Sequence, residues 1–302
     1  MPSTSRRRIL YIAGYSRSGS TILDMVLNRH PDVASTGELT FLHEDAENLS
    51  LLCSCGQPYR ACDIYGDWVC ERPREEASVL RGIEHRRALG RLIEMRVPEA
   101  DQSRYRNYAQ SLFGHLHNRH GADLLVDSSK SAKHAAGRPL ALSRLAGLDV
   151  RVLHLTRDPR AVLNSYIRTG SNWVLEGRRK PRPLDNWRPI LGWTLANRIA
   201  QRIGQQIGPG RYMHLRFEDF LADPKAALHR IGTFAGLDTN EIARDVLDGK
   251  PFVAGHNVGG NRTRLEPQKI ALDSPVATRL PAGYALGLYA VGRRTAGRLG
   301  YG

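Results

Sequence analysis

The feature that most constrains this chain is an apolar run that opens straight into a loop of small residues. Arg8–Ala13 is followed by Gly14-Tyr15-Ser16-Arg17-Ser18-Gly19-Ser20-Thr21, and then by a stretch apolar at Ile22, Leu23, Val26 and Leu27. Small residues let backbone N–H groups turn inward around an anion, and a helix N-terminus adds the positive end of its dipole. Ser20 and Thr21 place two hydroxyls at that point. A strand, an anion-binding turn and a helix in this order belong to an α/β fold, with the turn at the carboxyl edge of a parallel sheet.

The rest of the chain keeps the same rhythm. Leu124–Asp127, Val150–Thr156 and Arg211–Phe217 read as further buried strands, being short and rich in apolar or β-branched residues. Helical stretches lie between them at Ser78–Met95, Ala136–Leu145, Pro159–Arg168 and Pro224–Ala235. The last two begin with Asp-Pro, at Asp158 and Asp223, which pairs an N-cap carboxylate with proline in the first turn. Alternation of this kind predicts a P-loop-like, doubly wound parallel sheet with helices on both faces. We expect one domain over residues 1–302, with a cysteine-bearing, mostly helical insertion at about 51–122. The polar stretch Glu176–Arg188 reads as an exposed loop or lid.

Within the first loop, the phosphate-binding pattern G-x-x-x-x-G-K-[ST] would require Lys where Ser20 stands; the basic residue is Arg17 instead. Nucleoside-triphosphate chemistry loses a central charge without that Lys, and no obvious acidic strand end accompanies the loop to hold Mg²⁺. A kinase or nucleotidase therefore stands as the alternative reading. Glu38 lies eighteen residues beyond Ser20. A helix over Ser20–His30 carries the chain about 16 Å away from the loop, and a short strand over Asp32–Thr36 carries it back about as far. Glu38 thus returns to the anion loop, where a carboxylate suits proton removal better than anion binding. On position alone, a Glu that caps the next helix fits equally well.

Charge adds a general constraint. With 44 Lys+Arg against 30 Asp+Glu the net charge is +14, which favours anionic partners without choosing among them. The arginines are spread along the chain and no zinc-finger, homeodomain or RNA-recognition signature is present, so we expect one anion-binding cleft and no nucleic-acid partner. No apolar run approaches the roughly 18 residues of a membrane span. Ser5-Arg6-Arg7-Arg8-Ile9-Leu10 resembles the start of a twin-arginine export signal, but the apolar run ends at Ala13 and the working loop follows; a cytoplasmic protein is expected. Cys53, Cys55, Cys62 and Cys70 are spaced C-x-C-x6-C-x7-C, unlike paired C-x2-C knuckles. Zinc, a disulfide and free thiols all remain open for them, and no metal ligand set is assigned.

Several separated motifs, in order, resemble those of the sulfotransferases that use 3′-phosphoadenosine 5′-phosphosulfate (PAPS). Ser16-Arg17-Ser18-Gly19-Ser20-Thr21 is similar to that family's 5′-phosphosulfate loop. Arg157-Asp-Pro-Arg-Ala-Val-Leu-Asn-Ser165 is similar to its 3′-phosphate motif, and Leu215–Pro224 to its strand-to-helix segment. Gly260-Asn261-Arg262-Thr263-Arg264 resembles a Gly-Asn-Pro-x-Arg loop of the bacterial branch, with Arg262 in place of proline, and Cys53-x-Cys55-Gly recurs there without a known role. The resemblance implies direct sulfonate transfer to an acceptor hydroxyl or amine, without Mg²⁺. It assigns Arg17, Ser18, Gly19, Ser20 and Thr21 to the phosphosulfate, and Arg157 and Ser165 to the 3′-phosphate. Phe217 falls near adenine, and Asn261 and Arg264 in the donor-binding loop. Glu38 matches a general base, and Lys130, in Asp127-Ser-Ser-Lys130, a lysine on the bridging oxygen. Taken without the resemblance, Lys130 also reads as a solvated lysine at a helix start. The two phosphate ends are expected to occupy separate pockets. The acceptor is left open, with His43, His115, His117 and His120 as reserve bases and Trp173, Trp187 and Trp193 as pocket aromatics or packing residues.

Overall fold

The computed structural model describes residues 8–44, 52–71, 74–131, 134–170, 180, 187–272 and 279–302. The residues of the proposed lid, Trp173 and the Arg6-Arg7 pair lie mostly or wholly outside that set. Five parallel strands among the described residues form one sheet: β1 (Arg8–Gly14), β2 (Val33–Gly37), β3 (Leu124–Asp127), β4 (Asp149–Thr156) and β5 (Tyr212–Arg216), in the order β2-β3-β1-β4-β5. The longer helices are α1 (Ser20–Leu27), α2 (Arg74–Glu84), α3 (Glu99–His120), α4 (Pro159–Thr169), α5 (Arg188–Ile207), α6 (Phe217–Ala222), α7 (Pro224–Ala235), α8 (Asn240–Leu247) and α9 (Ala282–Arg298).

Alternation along the central strand β1 shows why both faces are covered. Ile9, Tyr11 and Ala13 enter a core shared with Leu112 and Leu116 of α3 and Ala200 and Ile203 of α5. Leu10 and Ile12 point the other way, into a core with Leu23 and Val26 of α1, Leu228 and Ile231 of α7 and Ile242 of α8. A strand buried on both faces needs apolar residues at every position, which is what the sequence Arg8–Ala13 supplies after its first residue. The doubly wound parallel sheet expected from the sequence is the fold observed.

Local signals were also sound at several helix starts. Asp158 accepts from the backbone N–H of Arg160 at 2.7 Å, and Asp223 from that of Ala226 at 2.9 Å, each with proline at the first helical turn. Two spans differ from expectation. The stretch 78–95 is not one helix: α2 ends at Glu84, and the His85 imidazole accepts from Arg87 N–H at 3.1 Å, opening a separate turn. The helix expected over 136–145 begins at Arg138, and its second half, Ala141–Leu145, is wound as a π-helix. The described residues within 51–122, the span expected to be an insertion, are mostly helical, with α2 and α3 as the longest pieces.

Directly under the first loop lies a buried polar cluster. Asp24 of α1 is 1% exposed and receives hydrogen bonds from Ser128 Oγ at 2.9 Å and Asn257 Nδ2 at 3.1 Å. Ser35 Oγ lies 2.5 Å from Asp24 Oδ1 and 2.7 Å from Asn257 Oδ1. Serine has one proton to give, so one of those two oxygens must carry its own, and of the two only the carboxyl can. Burial pushes the Asp24 carboxyl from 3.8 up to about 7, against the opposing pull of the Ser35 and Ser128 hydrogen bonds.

The sign of the pH effect follows. Between pH 4 and 7 the folded chain keeps a proton on Asp24 that the unfolded chain releases, so stability falls as pH rises through that window. The full swing is about 4 kcal/mol for a shift of about 3 pH units. Asp24→Asn, which mimics the protonated acid, should remove most of this slope in urea unfolding followed between pH 4.5 and 7.5 (about the window above). Parallel profiles for the two proteins would show that Asp24 does not titrate there.

Candidate active site

Each strand hands one chemically distinctive side chain to the carboxyl edge of the sheet. Arg17 follows β1, Glu38 follows β2 at once, Lys130 follows β3, Arg157 follows β4 at once, and Phe217 follows β5 at once. The strands are parallel and in register near their ends, with Tyr11 opposite Asp127 and Gly14 opposite Leu155, so these five residues converge. They line one cleft of about 200 Å³ together with Gly19, Ser20, Thr21, Ser165 and Asn261. Ser16, Ile22 and Thr263 also line it. Thr263 stands inside a motif that the sequence analysis quoted, yet a lone threonine in a loop carries no periodicity or charge to mark it.

Two residues of the sequence-derived set stand apart from the lining. Ser18 is 1% exposed, with a hydroxyl that has no hydrogen-bond partner among the described residues. Arg264 turns its guanidinium onto the carbonyls of Gly260, Asn261 and Leu52, at 3.4, 3.3 and 3.1 Å, and so ties the 260–264 loop to the insertion.

The loop itself is held under backbone strain. Arg17 (φ 68°) and Lys130 (φ 67°) are two of the three non-glycine residues with left-handed backbone among the described residues, and both face the cleft. Such conformations cost about 1–3 kcal/mol each and persist where surrounding contacts dictate them. For Lys130 those contacts are visible. Its N–H donates to Ile12 O at 3.2 Å, and its carbonyl accepts from the buried Tyr11 hydroxyl. Just upstream, Asp127 accepts from Ser129 N–H at 3.0 Å and from Arg138 Nε at 2.8 Å. Arg138 in turn donates to Glu84 at 2.6 Å, and Tyr105 donates to the same carboxylate oxygen at 2.8 Å. A chain of buried, hydrogen-bonded charged groups thus runs from α2 and α3 to the loop that presents Lys130.

Inside the cleft the Lys130 ammonium pairs with the Glu38 carboxylate, at 7% and 14% side-chain exposure. Arg17 donates to Ser165 Oγ at 3.3 Å, Thr169 Oγ1 at 2.9 Å and Gly170 O at 3.1 Å, and lies over the Tyr166 ring. The residue groups that the sequence analysis assigned to two separate pockets therefore adjoin: Arg17 from the first loop touches Ser165 from α4. Arg157 donates to the Arg17 carbonyl at 3.3 Å and lies 5.6 Å from the Phe217 ring centre. Burial pulls the Arg157 guanidinium below its usual range, and Glu218 and Asp158 only partly offset this. A half-buried, under-compensated guanidinium beside an open cleft is built to receive an anion.

The remaining sequence candidates sort by contact. Trp193 is fully buried against Val162, Ala296 and Tyr301, and its indole donates to the Arg157 carbonyl at 3.1 Å; it packs and positions. Trp187 stacks on Tyr284 at 5.1 Å, away from the cleft. His115, His117 and His120 lie on α3 and none lines the cleft. The side chain of His43 is outside the described residues.

Comparison with known proteins agrees with this arrangement. The model of a family described as the sulfotransferase family matches residues 10–241. Human carbohydrate sulfotransferase 2 is 28% identical over a stretch covering 37% of this chain and 29% of its own length. The chain thus spans less than a third of that curated relative. Two solved structures share the fold over nearly the whole chain. The sulfotransferase domain from the curacin biosynthetic pathway has a TM-score of 0.59 at 20% identity, covering 98% of both chains. That from the Synechococcus PCC 7002 olefin synthase has 0.56 at 21%, covering 98% of this chain and 97% of its own.

Gly19 is where the geometry is least forgiving. It sits at φ 88°, and a Cβ there would lie 2.3 Å from the Phe217 ring. Gly19→Ala should cost about 2–4 kcal/mol, from strain plus overpacking. Combined with Phe217→Ala, the loss should fall short of the sum by about 1 kcal/mol or more in thermal unfolding, as expected for residues in contact. Strict additivity would mean that the loop moves away instead.

Proposed function

The chain belongs to the sulfotransferase family, and on that premise we propose that it transfers a sulfonate group from PAPS to a hydroxyl of a small-molecule, lipid or carbohydrate acceptor. The observation that carries this reading is one cleft holding three cations and one carboxylate beside a glycine turn at a helix N-terminus. The donor has phosphate at two places, and the cleft has cations on two walls. Arg17, with Gly19, Ser20 and Thr21, receives the 5′-phosphosulfate; Arg157 and Ser165 receive the 3′-phosphate, and Phe217 the adenine. Because Arg17 donates one hydrogen bond to Ser165, the two ends of the donor meet neighbouring groups, and a phosphate oxygen can take over that bond.

Transfer is an in-line displacement. The acceptor oxygen attacks sulfur while Glu38 takes its proton. The bond from sulfur to the bridging oxygen breaks, and the charge left on the phosphate is met by Lys130 and Arg17. The Glu38–Lys130 pair places base and leaving-group cation side by side, so proton removal and bond breaking are served by neighbouring groups. Positive charge that Mg²⁺ supplies in nucleoside-triphosphate enzymes is here supplied by side chains, and transfer is expected to need no added Mg²⁺. The carbohydrate acceptor in the name of the curated relative supports a hydroxyl acceptor. A cytoplasmic setting is part of this reading; no helix among the described residues is long and apolar enough to cross a membrane.

In calorimetry the protein should bind 3′-phosphoadenosine 5′-phosphate far more tightly than AMP; similar affinities would remove the 3′-phosphate pocket from this reading. Arg157→Ala should weaken that binding about ten- to a hundredfold, the loss of one or two charged hydrogen bonds. Glu38→Gln should retain near-normal donor binding while transfer of radiolabelled sulfonate to acceptors in a metabolite extract falls to background. Retained turnover would point to another base, and Mg²⁺-dependent ATP hydrolysis to a kinase or nucleotidase instead.

A further inference from the structure

Fold and cleft leave one cluster unused. Cys53, Cys55 and Cys62 of the insertion meet His256, a residue about two hundred positions away, with one ligand atom from each all within 4.8 Å of one another. We propose that these four side chains bind a single zinc ion, and that this ion fastens the insertion to the segment that forms one wall of the cleft. The proposal stands on this cluster alone and does not depend on the reaction assigned above.

The distances fit a metal better than they fit the other two readings of the cysteines. Zinc takes Cys sulfur at about 2.3 Å and His nitrogen at about 2.0–2.1 Å in a tetrahedron, which makes its edges about 3.5–3.8 Å. Here Cys55 Sγ is 3.8 Å from Cys62 Sγ, Cys53 Sγ is 3.9 Å from His256 Nδ1, and Cys62 Sγ is 3.2 Å from the same nitrogen. None of the cysteines forms a disulfide. Unlinked thiols of an irregular lid would have no reason to share one imidazole from a distant segment. Three thiolates and an imidazole, offering four soft or borderline ligands, are the donor set of a closed structural zinc site. On binding, the thiol protons pass to solvent and no redox change is involved.

The surrounding backbone is shaped as such sites require. Residues 52–58 form a tight hairpin: Leu52 pairs with Pro58, Cys53 N–H donates to Gln57 O at 2.8 Å, and Gly56 turns at φ 85°. That turn brings Cys53 and Cys55 to the same side. The Tyr65 and Gly66 N–H groups donate to the Cys62 carbonyl at 3.1 and 2.7 Å, which fixes the backbone that carries this sulfur. His256 is fixed from both sides. Ser54 Oγ donates to Gly255 O at 2.6 Å and accepts from Asn257 N–H at 2.7 Å, and the Tyr65 hydroxyl donates to the His256 carbonyl.

What the ion would hold together follows from the next few residues. Val258 pairs with Gly37, and its carbonyl accepts the Glu38 N–H at 2.6 Å. Asn257 reaches the buried Asp24, and Asn261 lines the cleft. Fastening His256 therefore fixes the strand-like segment against which Glu38 rests.

The test is metal content of the purified full-length chain by plasma mass spectrometry. We expect about one zinc per chain, lost or sharply reduced in Cys53→Ser, Cys62→Ser and His256→Ala, and retained in Cys70→Ser, the exposed cysteine outside the cluster. A ligand variant that fails to fold would leave the site undecided by that measurement, so cobalt(II) added to the chelator-treated wild type gives an independent reading. A sulfur-to-cobalt charge-transfer band with the strong visible absorption of tetrahedral cobalt supports the site, as does a melting temperature lowered by the chelator and restored by zinc. A metal-free protein without that band, a cysteine pair found oxidised by mass spectrometry, iron or copper in place of zinc, or zinc retained by all three ligand variants would each overturn the proposal.

Discussion

Parallel strands in one sheet all end at the same edge, and everything chemical in this molecule depends on that. The residues that follow β1 to β5 come from five distant parts of the chain, yet the common direction and register of the strands deliver Arg17, Glu38, Lys130, Arg157 and Phe217 to one cleft. An antiparallel sheet would send alternate strand ends to opposite edges. The cleft also collects more positive than negative side-chain charge, Arg17, Lys130 and Arg157 against Glu38. Like charges brought together away from bulk water raise the free energy of the unliganded site, and a polyanionic ligand relieves that cost.

Holding such a site needs rigidity behind it. Two buried polar clusters supply it by different means. Arg138 bridges Asp127 and Glu84 with both its carboxylate partners at 1% exposure or less, and it fixes the loop that carries Lys130 in a left-handed turn. Asp24 gathers Ser35, Ser128 and Asn257 from three separate segments beneath the first loop. Both clusters specify one arrangement because any displacement leaves a buried polar group without its partner, at a cost of about 1–3 kcal/mol. The cysteine and histidine cluster extends the same scaffold on the far side of Glu38, next to the point where Val258 pairs with the end of β2 and buries its side chain in the core.

Where the sequence reading succeeded, the signal was local. The Arg8–Ala13 run, the glycine loop, and the Asp-Pro helix starts each depend on contacts within a few residues, and each is found where expected. Glu38 was placed by counting rises along a helix and a strand, which works because both have fixed pitch. Failures came where a distant partner decided. The helix expected over 78–95 ends at Glu84, whose buried carboxylate pairs with Arg138 from a distant segment. The sequence places Arg264 in the donor-binding loop, and the structure adds that its guanidinium donates to three backbone carbonyls.

By itself, then, the amino-acid order determined that this chain makes a two-faced parallel sheet and that an anion loop sits at its edge, because hydrophobic periodicity and backbone permissiveness at glycine act over short distances. The ordered motifs further determined its kinship. Only the tertiary structure decided that Arg17 leans on Ser165, that Thr263 joins the cleft while Ser18 is buried outside its lining, and that His256 meets three cysteines some two hundred residues earlier. Those outcomes depend on which surfaces pack together, and no local spacing records that.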